Sequence, residues 1–409
     1  MGDRTKMPGD ATWQVGEPPP LRSVPDQEQS LETSTVQGGE LSNPRARLWS
    51  RAVLVPAGAL LLGLTMGPAD VTLHHLPVIL QVALSLATLA FVFWTVFVIL
   101  GHAETIAHRL GEPFGTLVLT LSVTAIEASL IVSLMLHGEN NPTIARESVF
   151  STVMIVCGGM LGLCLVLGGL RHGYQELKPQ GTNALLSVVM ALSVLTLVLP
   201  NFTLTAAPGD FSAMQLIFVS LLCVLLYGTF VYGQMTRHRA DFVDERHPAA
   251  HGRGGPSFGL AASVALLLAG LAGLVMLAEH VATNLEGGLQ ALRLQQTDAI
   301  VGAFVATLVL MPEAVTAIRA ALMNQLQRSI NVVLGSACAT IGLTVPVVAM
   351  ASLVTGHQLT LGLGSGDTVL LLLALGLSIV SFGTGRTTVL TGLVHLVVFV
   401  AYLLLIAVP

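Results

Sequence analysis

Long apolar runs separated by short polar connections dominate this chain from residue 48 onward. A helix needs about 20 apolar residues to cross the hydrocarbon of a bilayer. Eleven runs meet that length, at 49–67, 77–103, 114–137, 147–170, 182–200, 211–234, 258–282, 298–320, 329–354, 367–384 and 387–408. The pattern predicts an all-α polytopic membrane protein with eleven transmembrane helices. Residues 1–45 lack hydrophobic periodicity and are rich in Pro, Gly, Gln, Ser and Glu, the signature of a disordered tail. No signal-peptide pattern precedes the first run, so the first span is expected to act as its own insertion signal.

Composition agrees with lipid as the main solvent: 53% of residues are hydrophobic and 10% charged, with a mean hydropathy of +0.78. A net charge of -5 and the absence of a basic, aromatic-interleaved patch exclude nucleic acid as a partner. Cys157, Cys164, Cys223 and Cys338 all fall inside apolar runs without metal or disulfide spacing, and read as small core hydrophobes. With the N-terminus placed in the cytosol, sixteen of the 18 Lys and Arg residues fall on the inner side; only Arg146 and Arg293 lie outside. That asymmetry predicts a multi-pass plasma (inner) membrane protein with a cytosolic N-terminus and an outer C-terminus.

Ten spans remain once the first helix (46–68) is set apart. They divide at the most hydrophilic stretch, the expected cytosolic linker 235–257, into sets of five over 77–234 and 258–409. Five is odd, so related halves must insert in opposite directions, as in many secondary transporters with inverted repeats. The acids within or at the edges of spans agree. Glu104 and Glu127 fall on the first two helices of one half, and Glu279 and Glu313 on the same two of the other. Glu127 and Glu313 belong to the middle of their spans, while Glu104 and Glu279 flank opposite faces.

A carboxylate at bilayer depth costs about 2.5–3.5 kcal/mol even on lenient scales, so it must be protonated, paired with a cation or in reach of water. Such a group binds protons and metal ions in competition, and that competition is the chemistry of an antiporter. Two carboxylates meeting across a pseudo-two-fold axis supply hard oxygen ligands suited to Ca²⁺. Thr116, Thr120 and Thr124 recur on the face of Glu127 and offer hydroxyl oxygens. Pro312 cannot donate to the carbonyl of Leu308, so a broken helix and a freed backbone ligand are expected beside Glu313. Threonine back-bonding and a simple proline kink are the structural alternatives. His102 and His280 read as interfacial or as proton relays, and His395 as core. His238, His247 and His251, with Asp241, Asp244 and Glu245, fit a solvated linker better than a regulatory metal site.

The stretches "GEPFGTLVLTLSVTAIEASLI" and "LMPEAVTAIRAALMNQLQRSINVVLGSACATIGLTVPVV" resemble the two alpha-repeat regions of the calcium:cation antiporter superfamily, in its bacterial calcium/proton branch. The resemblance covers about residues 48–409. It implies one helix plus two inverted sets of five, with the cation between the second and third helices of each set. It implies that Glu127 and Glu313 are the essential glutamates, Gly335 and Ser336 the Gly-Ser pair of the following helix, and Glu104 and Glu279 the flanking proton-linked acids. The wider superfamily writes Gly-Asn-Ala-Thr/Ala-Glu where this chain has Val123–Glu127 and Val309–Glu313, and Gly158-Gly159 stands where a polar residue is expected.

The resulting expectation is a secondary antiporter, not an enzyme, that exchanges cytosolic Ca²⁺ for protons by alternating access; Na⁺/H⁺ or K⁺/H⁺ exchange is the alternative. Glu127, Glu313, Thr124, Leu308 and Ser336 are expected to hold the cation, supported by Thr120, Pro312 and Gly335. Protons are expected on Glu104, Glu279, Glu127 and Glu313. No cofactor is implied, and the partners are inorganic cations, protons and the bilayer. No GxxxxGK[ST] loop is present. An intramembrane metal-dependent hydrolase built on His102, Glu104 and His280 would lack HExxH and a third histidine at ligand spacing.

Overall fold

The computed structural model describes residues 44–73, 78–110, 114–137, 142–204, 207–237, 239–242, 259–291 and 296–408. The expected tail and most of the linker, including His238, His247 and His251, lie outside these residues. Each expected span is matched by a helix. In chain order they are α1 (Pro44–Leu73), α2 (Val78–Leu110), α3 (Phe114–His137), α4 (Ile144–Met154), α5 (Leu161–His172), α6 (Pro179–Ser193) and α7 (Ala213–Met235). A short α8 (Arg239–Phe242) follows, then α9 (Leu260–Ala291), α10 (Thr297–Leu322), α11 (Leu326–Ala339), α12 (Val345–Thr355), α13 (Ser365–Phe382) and α14 (Val389–Ala407). α4 with α5, and α11 with α12, each form one span. Nine spans among the described residues are long and apolar enough to cross a membrane, and two shorter apolar stretches, Arg51–Thr65 and Thr120–Leu136, lie in α1 and α3. α2 and α9 run past the apolar limits read from hydropathy, because helical hydrogen bonding continues into the polar interface.

Local chemistry sets several ends. Ser212 caps α7 in a reciprocal arrangement: its hydroxyl accepts from the Gln215 amide, and Gln215 Oε1 accepts from the Ser212 amide at 2.9 Å. Pro179 opens α6, where its missing N–H costs nothing. Gly356 ends α12 in the left-handed region (φ 75°), which a side chain would strain.

Two ends of the bundle can be told apart by their connections. At one, β1 (Gln175–Glu176) pairs antiparallel with β2 (Arg386–Thr387), joining the α5–α6 and α13–α14 connections. The Gln175 amide donates to Ala321 O, so the α10–α11 turn belongs to the same end. At the other, Thr143 donates to Asp298 Oδ2 (2.6 Å) and Arg146 to Gly362 O (3.0 Å). Arg171, Lys178, Arg319, Arg328 and Arg386 cluster by position at the first end.

The irregular backbone is not where the sequence placed it. α10 continues through Pro312 without a break. One missing hydrogen bond is tolerated in a packed helix, and the Thr316 hydroxyl donates to Pro312 O (2.9 Å) one turn on. The interruptions are π turns instead, at Ile155–Met160 between α4 and α5, at Val194–Val198 after α6 and at Thr340–Thr344 between α11 and α12. α10 packs against α4 through Gly302, where an added Cβ would sit 2.8 Å from the Glu147 carbonyl carbon. Gly302→Val should therefore destabilise the bundle by about 1–3 kcal/mol through overpacking, read as a lowered Tm of the purified protein in detergent. An unchanged Tm would mean that the two helices can part at no cost.

Candidate functional site: a carboxylate-lined cavity

Glu127 sits on α3 among apolar neighbours, Ile126, Ala128 and Leu130, all buried. It is itself buried, 4% exposed. Its Oε2 accepts a hydrogen bond from the Thr340 hydroxyl at 2.6 Å and a longer one from Thr344 at 3.5 Å. Both donors belong to the π turn after α11. The wider turn carries two threonines four residues apart toward one carboxyl group, and charge-assisted bonds of this kind are the strong ones. The Thr152 side chain of α4 lies against the same carboxyl from a third side.

Glu313 on α10 has the opposite environment. Its Oε2 is buried yet has no hydrogen-bond partner among the described residues. A buried carboxylate oxygen without a donor is costly and calls for a ligand or a proton. The two acids are within electrostatic reach of each other.

Both glutamates line one cavity of about 430 Å³. Thr120 and Thr124 of α3, Pro312 and Thr316 of α10, and Gly335 and Ser336 of α11 line it too. It extends to Glu104 on α2, which is exposed, and to Gln234 and Arg328 near the end of the bundle that carries the strand pair. The Thr124 hydroxyl donates to Thr120 O at 2.9 Å, the back-bonded geometry, but its oxygen keeps lone pairs for a cation. Gly335 adds no side chain, which leaves room between α11 and the acids.

One expected residue is not gathered here, and another is not placed by the described side chains. Leu308 is 1% exposed and does not line the cavity; with α10 unbroken, its carbonyl stays in the helix wall one turn from Pro312. Glu279 lies on α9, but its side chain, like that of Thr116, lies outside the described residues. His102 is buried and bonds through Nε2 to Ala52 O (2.8 Å), fastening α2 to α1. His395 is fully buried between Cys157 O and the Ser381 hydroxyl, a core position. The four cysteines are buried and free of disulfides. No group of three or more His, Cys, Asp or Glu able to hold a metal occurs among the described residues.

Sequence reading missed Thr340, Thr344 and Asn331, all close to the acids or on the cavity wall. The Thr340-x-x-x-Thr344 spacing, four and eight residues beyond Ser336, was the available signal.

Helices of membrane length around a buried, oxygen-lined cavity with two acids define a membrane transporter for small cations. The sequence profile described as "Sodium/calcium exchanger protein" matches the chain twice, over residues 80–236 and 262–408. The chain belongs to that family of secondary transporters and is not an enzyme. It is 45% identical over 346 residues to the putative ionic transporter y4hA of Sinorhizobium fredii, covering 83% of this chain and 93% of that one. It is 37% identical over 337 residues to the sodium-potassium/proton antiporter ChaA of Escherichia coli, covering 81% and 90%. Among solved structures, the H⁺/Ca²⁺ exchanger CAX matches over 88% of this chain and 89% of its own, with a TM-score of 0.63 at 15% identity, a likeness of fold.

Proposed function

We propose that the protein exchanges Ca²⁺ from the cytosol for protons, with Glu127 and Glu313 binding the cation when ionised and carrying protons on the return. The observation that carries this reading is the pair of midspan carboxyl groups on one cavity, one held by threonine donors and the other with an unsatisfied buried oxygen. Such a pair cannot stay doubly ionised in a low-dielectric setting without a cation. Either two protons or one divalent ion brings it to neutrality, so the two loads exclude each other. Thr120, Thr124, Ser336 and Thr340 supply the remaining oxygens, a set suited to hard cations. Glu104 stands where protons and ions enter.

The halves 77–234 and 258–409 are read as inverted repeats that alternate around this site. With the positive-inside sorting, the cavity faces the cytosol and the C-terminus lies outside. Exchange of Na⁺ or K⁺ for protons is the second reading, favoured by the resemblance to ChaA, whose name states those ions.

Everted vesicles energised with a proton gradient separate the readings. Added Ca²⁺ should dissipate the gradient at lower concentration than Na⁺ or K⁺ does. If only the monovalent ions dissipate it, the Ca²⁺ reading fails and the second stands. If no cation does, proton-coupled exchange itself is refuted.

A further inference from the structure

Between Arg328 and Ala339, the cavity wall contributed by α11 includes Asn331, Val332, Gly335 and Ser336, spaced i, i+1, i+4, i+5, with Ser336 four residues ahead of a π turn. α4 carries the same spacing in Glu147, Ser148, Ser151 and Thr152, with Thr152 three residues ahead of the π turn Ile155–Met160. The two helices lie in stretches matched by the same family profile. On α11 the stripe faces a cavity. On α4 it is shut: the four residues are 7%, 1%, 1% and 0% exposed.

A sealed stripe of that polarity is expensive, and part of it lacks a partner. Ser148 Oγ is buried with no hydrogen-bond partner among the described residues. Ser151 accepts from the Tyr402 phenol at 2.7 Å. The stripe begins at Thr152, beside Glu127, and ends at Glu147, at the end of the bundle away from the cavity mouth. Around Glu147 lie Asp298 of α10 and Asp367 of α13, close enough to act on it electrostatically. Among the described residues the positive charge facing this group is Arg146, whose Nε and Nη2 donate to Glu147 Oε1 at 2.9 and 2.6 Å while Nη1 holds Gly362 O. Asp298 is occupied by Thr143. The three acids do not converge on a common point in this state.

We propose that this stripe is the opposite half of the ion path, closed here, and that Arg146 is its latch. The guanidinium occupies on Glu147 the place that a hard cation takes as it crosses toward Asp298 and Asp367. A tethered cation suits this role, because it neutralises the carboxylate while the path is dry and is displaced by an ion of the same sign when the path opens. The bridge to Gly362 also ties α4 to the α12–α13 connection, so releasing the latch and parting those elements are one event. The inference rests on the antiport reading above and extends it to residues outside the cavity.

Thiol labelling tests it without requiring transport. Ser148→Cys is introduced into the full chain, whose own cysteines are buried and set the background. The protein is reconstituted in vesicles and exposed to a membrane-impermeant cationic methanethiosulfonate from either face. With Arg146 intact, modification should be slow and should come only from the face opposite the cavity mouth. Adding Arg146→Gln should accelerate it about tenfold, the loss of two charge-assisted bonds to Glu147 Oε1 and of the Gly362 bridge favouring the open state. Arg146→Lys should not, and millimolar Ca²⁺ or Na⁺ should slow the accelerated reaction. If Arg146→Gln prevents folding, Glu147→Gln takes the charge from that contact while leaving the Gly362 bridge, and should accelerate labelling in the same direction by less. Modification from the cavity face, or a rate indifferent to both substitutions, overturns the latch. A chain that exchanges cations but fails this test refutes the latch alone; one that labels as expected but exchanges nothing refutes the antiport reading alone.

Discussion

Glu127→Gln and Glu313→Gln should each reduce cation/proton exchange by more than about 100-fold, since removing one member of a buried charge pair costs roughly 3 kcal/mol or more of binding. Both replacements are close to isosteric. At position 127 the amide oxygen can still accept from Thr340, and at 313 the oxygen it replaces had no protein donor to lose. Insertion and thermal stability should therefore stay near those of the parent, which separates a lost ligand from a lost fold. Proton-gradient dissipation in vesicles, with the amount of inserted protein matched, is the measurement. A variant that still exchanges at the parental rate removes its glutamate from the mechanism.

Thr340→Val should move the pH profile of exchange to the alkaline side and weaken the apparent cation affinity by about tenfold, as expected for one hydrogen bond to a charged group. The sign follows from what the hydroxyl touches. Its proton points at Glu127 Oε2, so it favours the ionised carboxyl group, the form that receives a cation. Without it, protons compete better at any given pH, and the cation needs a less acidic medium to displace them. Thr344 is too distant at 3.5 Å to compensate in full. An acidic shift, or no shift, would mean that Thr340 serves packing rather than the carboxylate.

Spans and acids were legible in sequence for a simple reason. Twenty apolar residues in a row and a carboxylate in their midst are both local signals, and each is so costly in the wrong setting that its presence is informative. Glu127 and Glu313, with Thr120 and Thr124 on the helical face of Glu127, could thus be chosen before any geometry was known; Ser336 came from the family resemblance alone, and the fold brings all five to one cavity. The break expected at Pro312 was a local rule overridden by packing, because α10 is held on several sides and loses only one hydrogen bond there. The true irregularities, the π turns, carry no proline and are not encoded by any single residue. Each adds one residue to a turn, which re-aims the side chains that follow. Thr340 and Thr344 were overlooked for that reason: in a regular helix they would not be assigned to Glu127. Arg146 was read only as an exception to the charge sorting, although its neighbour Glu147 stood beside it in the chain.

The size of the cavity carries a consequence for discrimination between ions. At about 30 Å³ per molecule of liquid water, 430 Å³ is room for roughly a dozen or more. An ion can travel most of the way inward fully hydrated, so the wide approach does little sorting. On the proposed reading, shedding of the hydration shell is left to the contact with Glu127 and its threonines, and there the cost of stripping water would decide which ion stays.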